Sequence, residues 1–250
     1  PLEELKHIFE PVITKAIKPK KSNELPKLIE VLRKVGREDP SIVIEINEET
    51  GENLLSGMGE LHLEIIENRI ITEKGVEVLT SQPVVVFRES ITKTSPEVEG
   101  KTPNKHNKFY FTVEPLTPEI QKVIKEGMVP EGRIKKKNAD IREAFVSAGM
   151  DSKEAEKVKE VYKGNIFLDL TRGQVYAIEV MEMILDMFEE VMRKGPLARE
   201  PCVKVRVNLT DMKLHEDAIH RGPAQVYPAI REGIRGAMLT ASPIILEPMQ

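Results

Sequence analysis

Between Val12 and Leu79 the apolar residues change their period in a fixed order, and that order limits the fold more than any other feature of the chain. Residues 12–17 read as a strand, followed by a Lys-rich turn to Lys21. A helix opens at Ser22 or Asn23 with Pro26 in its first turn. Leu25, Leu28, Ile29, Leu32 and Val35 recur at helical spacing until Gly36 and Pro40 close the segment. Ile42, Ile44 and Ile46 alternate as a second strand, and residues 47–51 supply a turn into a third over 53–56. Gly57-Met58-Gly59 opens another helix with Leu61/Ile65 and Ile66/Ile70 as i,i+4 pairs, Gly75 ends it, and residues 76–79 make a fourth strand. The order β-α-β-β-α-β is the ferredoxin-like pattern.

The rest of the chain reads differently. A strand is expected over 84–91, after Pro83, followed by a polar stretch over 93–107. Phe109, Phe111 and Val113 then alternate as a strand. Thr117 and Pro118 begin a helix carrying Ile120, Val123 and Ile124. A short helix is expected over 140–148, a polar helix around 152–161 and a strand over 166–170. From Gln174 to Arg193 runs the clearest helix, with Ala177, Met181, Ile184, Phe188 and Val191 as its buried stripe and Gly195-Pro196 as its stop. Val203, Val205, Val207 and Leu209 alternate as a strand, residues 223–241 read as a helix, and residues 244–246 as a last strand. The class is α+β, in two domains.

Composition narrows the function classes. With 40% hydrophobic and 31% charged residues in 250, the chain reads as folded and soluble, and no apolar run approaches the length of a membrane span. The lone Cys202 has no partner for an internal disulfide, which favours a reducing, cytosolic setting; lacking an initiator Met, Pro1 is not expected to be the natural start. The net charge of −4 argues against a nucleic-acid partner until its distribution is read. Residues 1–87 carry five more acids than bases, whereas residues 88–250 carry one more base than acid. Two basic stretches stand out: Lys122, Lys125, Arg133, Lys135, Lys136 and Lys137, and then Arg193, Lys194, Arg199, Lys204 and Arg206. On charge alone each reads as a solvated face.

Several motifs fail on inspection. Gly100-Lys101-Thr102 has Ser95-Pro96 where a phosphate loop needs its first glycine, and Gly57-x-Gly59 has His62 where a dinucleotide loop needs its third, so it reads as a tight strand-to-helix turn. His215 and His220 sit five residues apart with Glu216 after the first. The zinc-hydrolase motif needs four, and on a helix the extra residue would turn the rings well over 100° apart. A non-metal role is therefore expected for both. The sequon Asn208-Leu209-Thr210 reads as incidental in a cytosolic strand. The segment from Lys213 to Gln225 remains either a polar connection with a helix cap or an exposed tip offering imidazole, guanidinium and amide groups to phosphate, sugar and base.

At this point the residues carry a resemblance. Leu214-His215-Glu216-Asp217-Ala218-Ile219-His220-Arg221-Gly222 closely resembles the tip of domain IV in the translation elongation factor 2 family, in its archaeal form. Ser56-Gly57-Met58-Gly59-Glu60-Leu61-His62-Leu63-Glu64 is similar to that family's domain III, and Leu197-Ala198-Arg199-Glu200-Pro201 to its domain IV. The resemblance implies a ferredoxin-like domain III over 11–83 and a domain IV of the ribosomal protein S5 domain 2-like type over 84–242. Residues 1–10 would end a linker from domain II, and residues 243–250 would start domain V. It further implies that His220 is converted to diphthamide and is the target of ADP-ribosylating toxins. Lys213, His215, Asp217, Arg221 and Gly222 would belong with it to the tip that enters the ribosomal decoding centre beside tRNA and mRNA. Partners implied are the ribosome, the diphthamide-synthesis enzymes and the toxins, in the cytoplasm and away from membranes. Gly222-Pro223-Ala224 stands where the eukaryotic pattern has three glycines, a stiffer loop that fits the archaeal branch. Nothing in the chain matches the family's phosphate loop, so GTP and Mg would belong to a domain outside it and no GTPase activity is expected here. Two readings compete: a metal hydrolase using His215 and His220, and a generic ferredoxin-like RNA-binding module.

Overall fold

The computed structural model describes residues 11–46, 53–82, 84–134, 138–172 and 177–247. They divide into two compact units, one running to Val86 and the other Phe87–Leu246. The turn expected over 47–51, the linker over 1–10, Lys135 to Lys137 and the helix start at Gln174 lie outside the described residues.

In the first unit β1 (Ile13–Pro19) leads through a 3-10 turn (Ser22–Glu24) into α1 (Leu25–Glu38). Then come β2 (Val43–Ile46), β3 (Asn53–Gly57), α2 (Glu60–Thr72), β4 (Val78–Thr80) and the short β5 (Val84–Val85). The four main strands lie in the order β2-β3-β1-β4 with every pair antiparallel, the ferredoxin-like arrangement expected from the period changes. Leu28, Leu32 and Val35 of α1 and Leu63, Ile66 and Ile70 of α2 share one core with Ile17, Leu55 and Val76. The expected pair Leu61/Ile65 points away from it, 70% and 51% exposed. The buried stripe of α2 runs 63-66-70, a spacing of three and four residues that leaves 61 and 65 on another face. Gly57 makes the tight turn into α2, since a Cβ there would lie 2.8 Å from Leu63 Cδ2.

The run expected as one strand over 84–91 is two. Val84–Val85 pairs with β1 in the first unit, while β6 (Arg88–Ile91) belongs to the second, so the boundary falls after Val86 rather than at residue 83. The second unit continues with β7 (Val98–Lys101), β8 (Lys108–Pro115), α3 (Pro118–Lys125), β9 (Gly132–Arg133), α4 (Ala139–Ser147) and α5 (Ser152–Ala155). β10 (Val158–Tyr162), β11 (Asn165–Asp169), α6 (Ala177–Arg193), β12 (Val205–Lys213), α7 (Pro223–Thr240) and β13 (Pro243–Leu246) complete it. Residues 243–246, read from sequence as the start of a further domain, pair antiparallel with β6 and belong to this unit.

Six strands form one sheet in the order β7-β8-β12-β11-β10-β9, parallel only between β11 and β12. Both of its faces are covered, and β11 shows this in three consecutive residues. Phe167 joins the core under α6 and α7, whereas Ile166 and Leu168 join the core made with α3, α4 and α5. β7 lies inside the stretch read as merely polar, and the expected polar helix around 152–161 is helical only over α5, its first four residues, before β10 takes over at Val158. The Lys163-Gly164 turn explains β10: both residues have positive φ, 45° and 76°, which is what a two-residue hairpin requires. The phosphate-loop remnant has a packing role. A Cβ on Gly100 would collide with the backbone of α7 at Ala229, and one on Gly233 would come 2.7 Å from Phe111, so the helix seats directly on β7 and β8. Asn208 of the sequon is buried in β12, its amide donating to Glu114 and Thr112. Among the described residues no helix is long and apolar enough to cross a membrane.

Candidate nucleic-acid interface

β12 runs four residues beyond the expected end at Leu209, with a bulge between Leu209 and Asp211, and delivers Lys213 to one end of the sheet. There His215, Glu216 and Asp217 lead into a single 3-10 turn (Ala218–Arg221), and Gly222 caps α7 with Pro223 in its first turn. Asp217 is the turn's own cap, accepting from Ile219 N at 3.0 Å, while His215 Nδ1 accepts from Asp217 N at 3.1 Å.

The turn between β7 and β8 braces this loop from about a hundred residues away in sequence. Buried Asn107 spans it: its side-chain oxygen accepts from His215 N at 2.9 Å and its amide donates to His220 O at 2.8 Å. Asn107 is held in turn by Thr102, whose hydroxyl accepts from Asn107 N at 3.0 Å, and Asn104 N donates to the Gln225 side chain of α7 at 3.0 Å. His106, on the same turn, reaches the histidine loop. Its ring centroid lies 4.4 Å from that of His220 and 4.9 Å from that of His215, and the latter two are 4.6 Å apart.

Three imidazoles thus meet at the tip where two were expected. The helical argument that would have separated His215 from His220 does not apply, because the segment is a loop and one 3-10 turn rather than an α-helix. The rings of His215 pack edge-to-face on the other two, with interplanar angles of 65° and 81°. No group of three or more His, Cys, Asp or Glu among the described residues is arranged to hold a metal. His106 escaped the sequence reading because nothing local marks it; only the β7–β8 pairing brings it to the tip.

The six residues expected at the tip do not share one role. Lys213 is exposed, its Nζ 5.9 Å from the Tyr110 ring centre, and Asp217 is exposed as well. His215 and His220 are half-buried, Gly222 is the helix cap, and Ile219 between them is 77% exposed. Arg221 is the exception to an outward-facing tip. Its buried guanidinium donates to the carbonyls of His215 and Glu216, the latter at 2.9 Å, and to Glu179 of α6 at 2.6 Å. The guanidinium shapes the loop from inside. Beside the tip, Glu99 is held below the ordinary carboxyl range by the hydrogen bond it accepts from Lys108 at 2.8 Å.

The resulting surface presents imidazole, ammonium and backbone groups on a braced loop, a set suited to phosphate, sugar and base edges. Comparison with known proteins agrees with the architecture. A family model described as Elongation Factor G, domain III, matches residues 8–82, and one described as Elongation factor G, domain IV, matches residues 127–242. Elongation factor 2 of Methanocaldococcus jannaschii is 56% identical over 252 residues, covering all of this chain and 35% of that protein. Elongation factor 2 of Archaeoglobus fulgidus is 54% identical and that of Methanosphaera stadtmanae 53%, each over 250 residues and 34% of its length. The chain therefore spans about a third of the length of the curated relatives it matches. With both units matched in order and half of all positions identical, the chain belongs to the archaeal elongation factor 2 family, of which it carries domains III and IV.

Proposed function

We propose that this chain is the part of a translocation factor that places a modified histidine in the ribosomal decoding centre. The observation that carries the reading is the bracing of His220: Asn107 fixes its carbonyl at 2.8 Å while its ring stays half-exposed against His106 and His215. A side chain that must carry a large adduct, and still be presented in one direction, needs a fixed backbone beneath it. Diphthamide at His220 would add a bulky cationic group, raising positive charge where RNA phosphates converge.

The mechanism that follows is steric and electrostatic. The tip occupies the decoding site as tRNA and mRNA advance by one codon, with Lys213, His215, Asp217 and the loop closed by Gly222 around His220. Arg221, turned inward, keeps the loop's shape and leaves the RNA contacts to the others. GTP hydrolysis with its Mg ion belongs to the remainder of the parent protein and biases the step by a conformational change. Diphthamide-synthesis enzymes and ADP-ribosylating toxins would both act on His220, in the cytoplasm.

The test uses the chain isolated from a host that modifies it. With labelled NAD and an ADP-ribosylating toxin, one label per chain is expected at His220 and none in His220→Asn. Chain of the mass expected for the modified histidine that still takes no label would overturn the assignment. The hydrolase reading has a separate check, since a stoichiometric metal in elemental analysis would revive it.

A further inference from the structure

The second basic stretch of the sequence is not absorbed by the tip. Of its five residues, Arg206 is used internally, paired with Glu114 and Glu154 at 2.9 Å each. The other four lie at the end of β12 opposite Lys213, where three loops converge. Cys202 N donates to Met192 O at 2.7 Å, which brings the Arg193-Lys194 end of α6 against the start of β12. Lys204 N donates to Gly164 O at 3.2 Å, which adds the β10–β11 turn and with it Lys163. Tyr162 joins them: its hydroxyl accepts from Arg193 Nε at 3.3 Å, and Lys163 Nζ lies 5.7 Å from its ring centre. Arg193, Lys194, Lys163, Lys204 and Arg199 are all exposed. Against them stand Glu200, Glu189, which is 3.7 Å from Arg193, and Glu131, whose carboxylate accepts from Lys163 N at 2.9 Å.

A second observation separates this surface from an ordinary solvated face. Among the described residues five non-glycine positions have positive φ; three of them, Lys163 (45°), Arg199 (62°) and Lys204 (62°), fall together here, while Lys105 (64°) and Ser242 (52°) lie elsewhere. A residue with a Cβ is disfavoured there, and glycine or asparagine is the usual relief. Three strained turns that each keep a long cation point to a use for the side chain. The patch is also poor in apolar surface, with Leu197 at 44% exposure standing alone on the intervening loop. A protein partner would be expected to meet an apolar centre, whereas phosphates need only cations on short, rigid supports.

We infer that this end of the second unit is a separate binding surface for the phosphate backbone of folded RNA. The inference rests on the ribosomal reading of the tip and extends it. Nine residues of β12 separate the two ends, roughly 3.3 Å each, so the second contact falls about 30 Å from the first and engages a different stretch of RNA. Its recognition is independent of sequence.

The test is a triple variant, Lys163→Asn, Arg199→Asn and Lys204→Asn, which removes three cations and relieves the backbone at the same time. Its thermal midpoint should be unchanged or slightly higher. Binding to purified ribosomes and to extracted ribosomal RNA, followed over a salt series, should weaken about tenfold, with a log–log salt slope smaller by about three. A Lys213→Gln variant is run in parallel. If Lys213→Gln weakens ribosome binding while the triple variant keeps the wild-type affinity and slope, the second surface is refuted and the ribosomal reading stands. Wild-type chain that does not bind ribosomes at all removes both. Weakened binding to ribosomes with unchanged binding to extracted RNA would assign the patch to a protein and overturn the inference.

Discussion

Two loops of the second unit look alike in sequence, polar and rich in charge, yet they are held by opposite means. The loop after α6 closes around Glu89, a fully buried carboxylate that accepts from Leu197 N at 2.8 Å, Ala198 N at 2.8 Å and Glu200 N at 3.1 Å. The histidine loop closes around Arg221, a buried guanidinium that donates to the carbonyls of His215 and Glu216 and to Glu179. A carboxylate collects amides and so turns a loop's N–H groups inward, leaving its carbonyls outside. A guanidinium collects carbonyls; at the tip the N–H groups of His215, Asp217 and Ile219 are taken separately, by the side chains of Asn107, His215 and Asp217. The difference suits each place. At the tip the inward group is a donor, and Lys213 and Asp217 are left exposed around the half-buried rings of His215 and His220. After α6, the inward group is an acceptor that locks the loop between β6 and β12.

The comparison breaks first at Glu89. Replacing it by alanine strands three part-buried N–H groups, at the lower end of about 1–3 kcal/mol each, so Glu89→Ala should cost on the order of 4 kcal/mol. Urea unfolding of the chain reads this directly. Glu89→Gln keeps the volume and one acceptor but turns an NH2 toward the amides, and should recover less than half of the loss. A cost for Glu89→Ala within 1 kcal/mol of zero would mean that the loop is held by something other than the carboxylate.

Arg221→Lys should cost less, about 2 kcal/mol, because lysine still places a cation beside Glu179 but lacks the fork that reaches two carbonyls. Glu179 is also half open to water, which weakens that pair. The loss should be local. Hydrogen exchange should rise across 214–222 while the amides of β8 and β12 keep their protection. Global unfolding as severe as that of Glu89→Ala would erase the distinction between a presenting loop and a locking one.

How legible these loops were follows from the same physics. The long periodic elements, α1, α6 and β8, were plain because repeated burial on one face leaves a repeated signal. Glu89 sits between Arg88 and Ser90 at the polar end of the run over 84–91, and an acid there carries no sign of whether it points to water or into a nest of amides. Arg221 and His215 share a motif, but local sequence does not tell an inward guanidinium from an outward imidazole. His106 and Asn107 are hidden further still, since their contacts depend on the pairing of β7 with β8 and on α7 seating at Gly100. Only the second half of the helix expected around 152–161 is strand, and β10 is hidden there because Glu160 occupies an inward position where alternation calls for an apolar residue.

Glu160 supplies the mildest and sharpest variation on the comparison. It is buried as deeply as Glu89, yet among the described residues no backbone N–H meets it. Its nearest cation is Arg133, Nε to Oε1 at 3.6 Å, and the remaining guanidinium nitrogens are taken by Glu182, by Asp186 at 2.6 Å and by Glu189 at 2.8 Å. Four carboxyls thus surround one guanidinium, with Tyr227 donating to Asp186 and Arg193 lying 3.7 Å from Glu189. Burial, and then the proton shared with Glu189, push Glu160 from an ordinary 4.5 up to about 8. The folded state therefore holds a proton that the unfolded chain has released across this window. Stability should be fully present below about 4.5 and be lost as pH rises toward 8. Glu160→Gln keeps the shape of the neutral form without the proton. Relative to wild type the variant should gain on the order of 2 kcal/mol between pH 5 and 9, from a pKa unit of ~1.4 kcal/mol reduced by the shared proton. Parallel stability curves for the two proteins over that range would show Glu160 ionised in the fold, and burial without amides would then have no cost here.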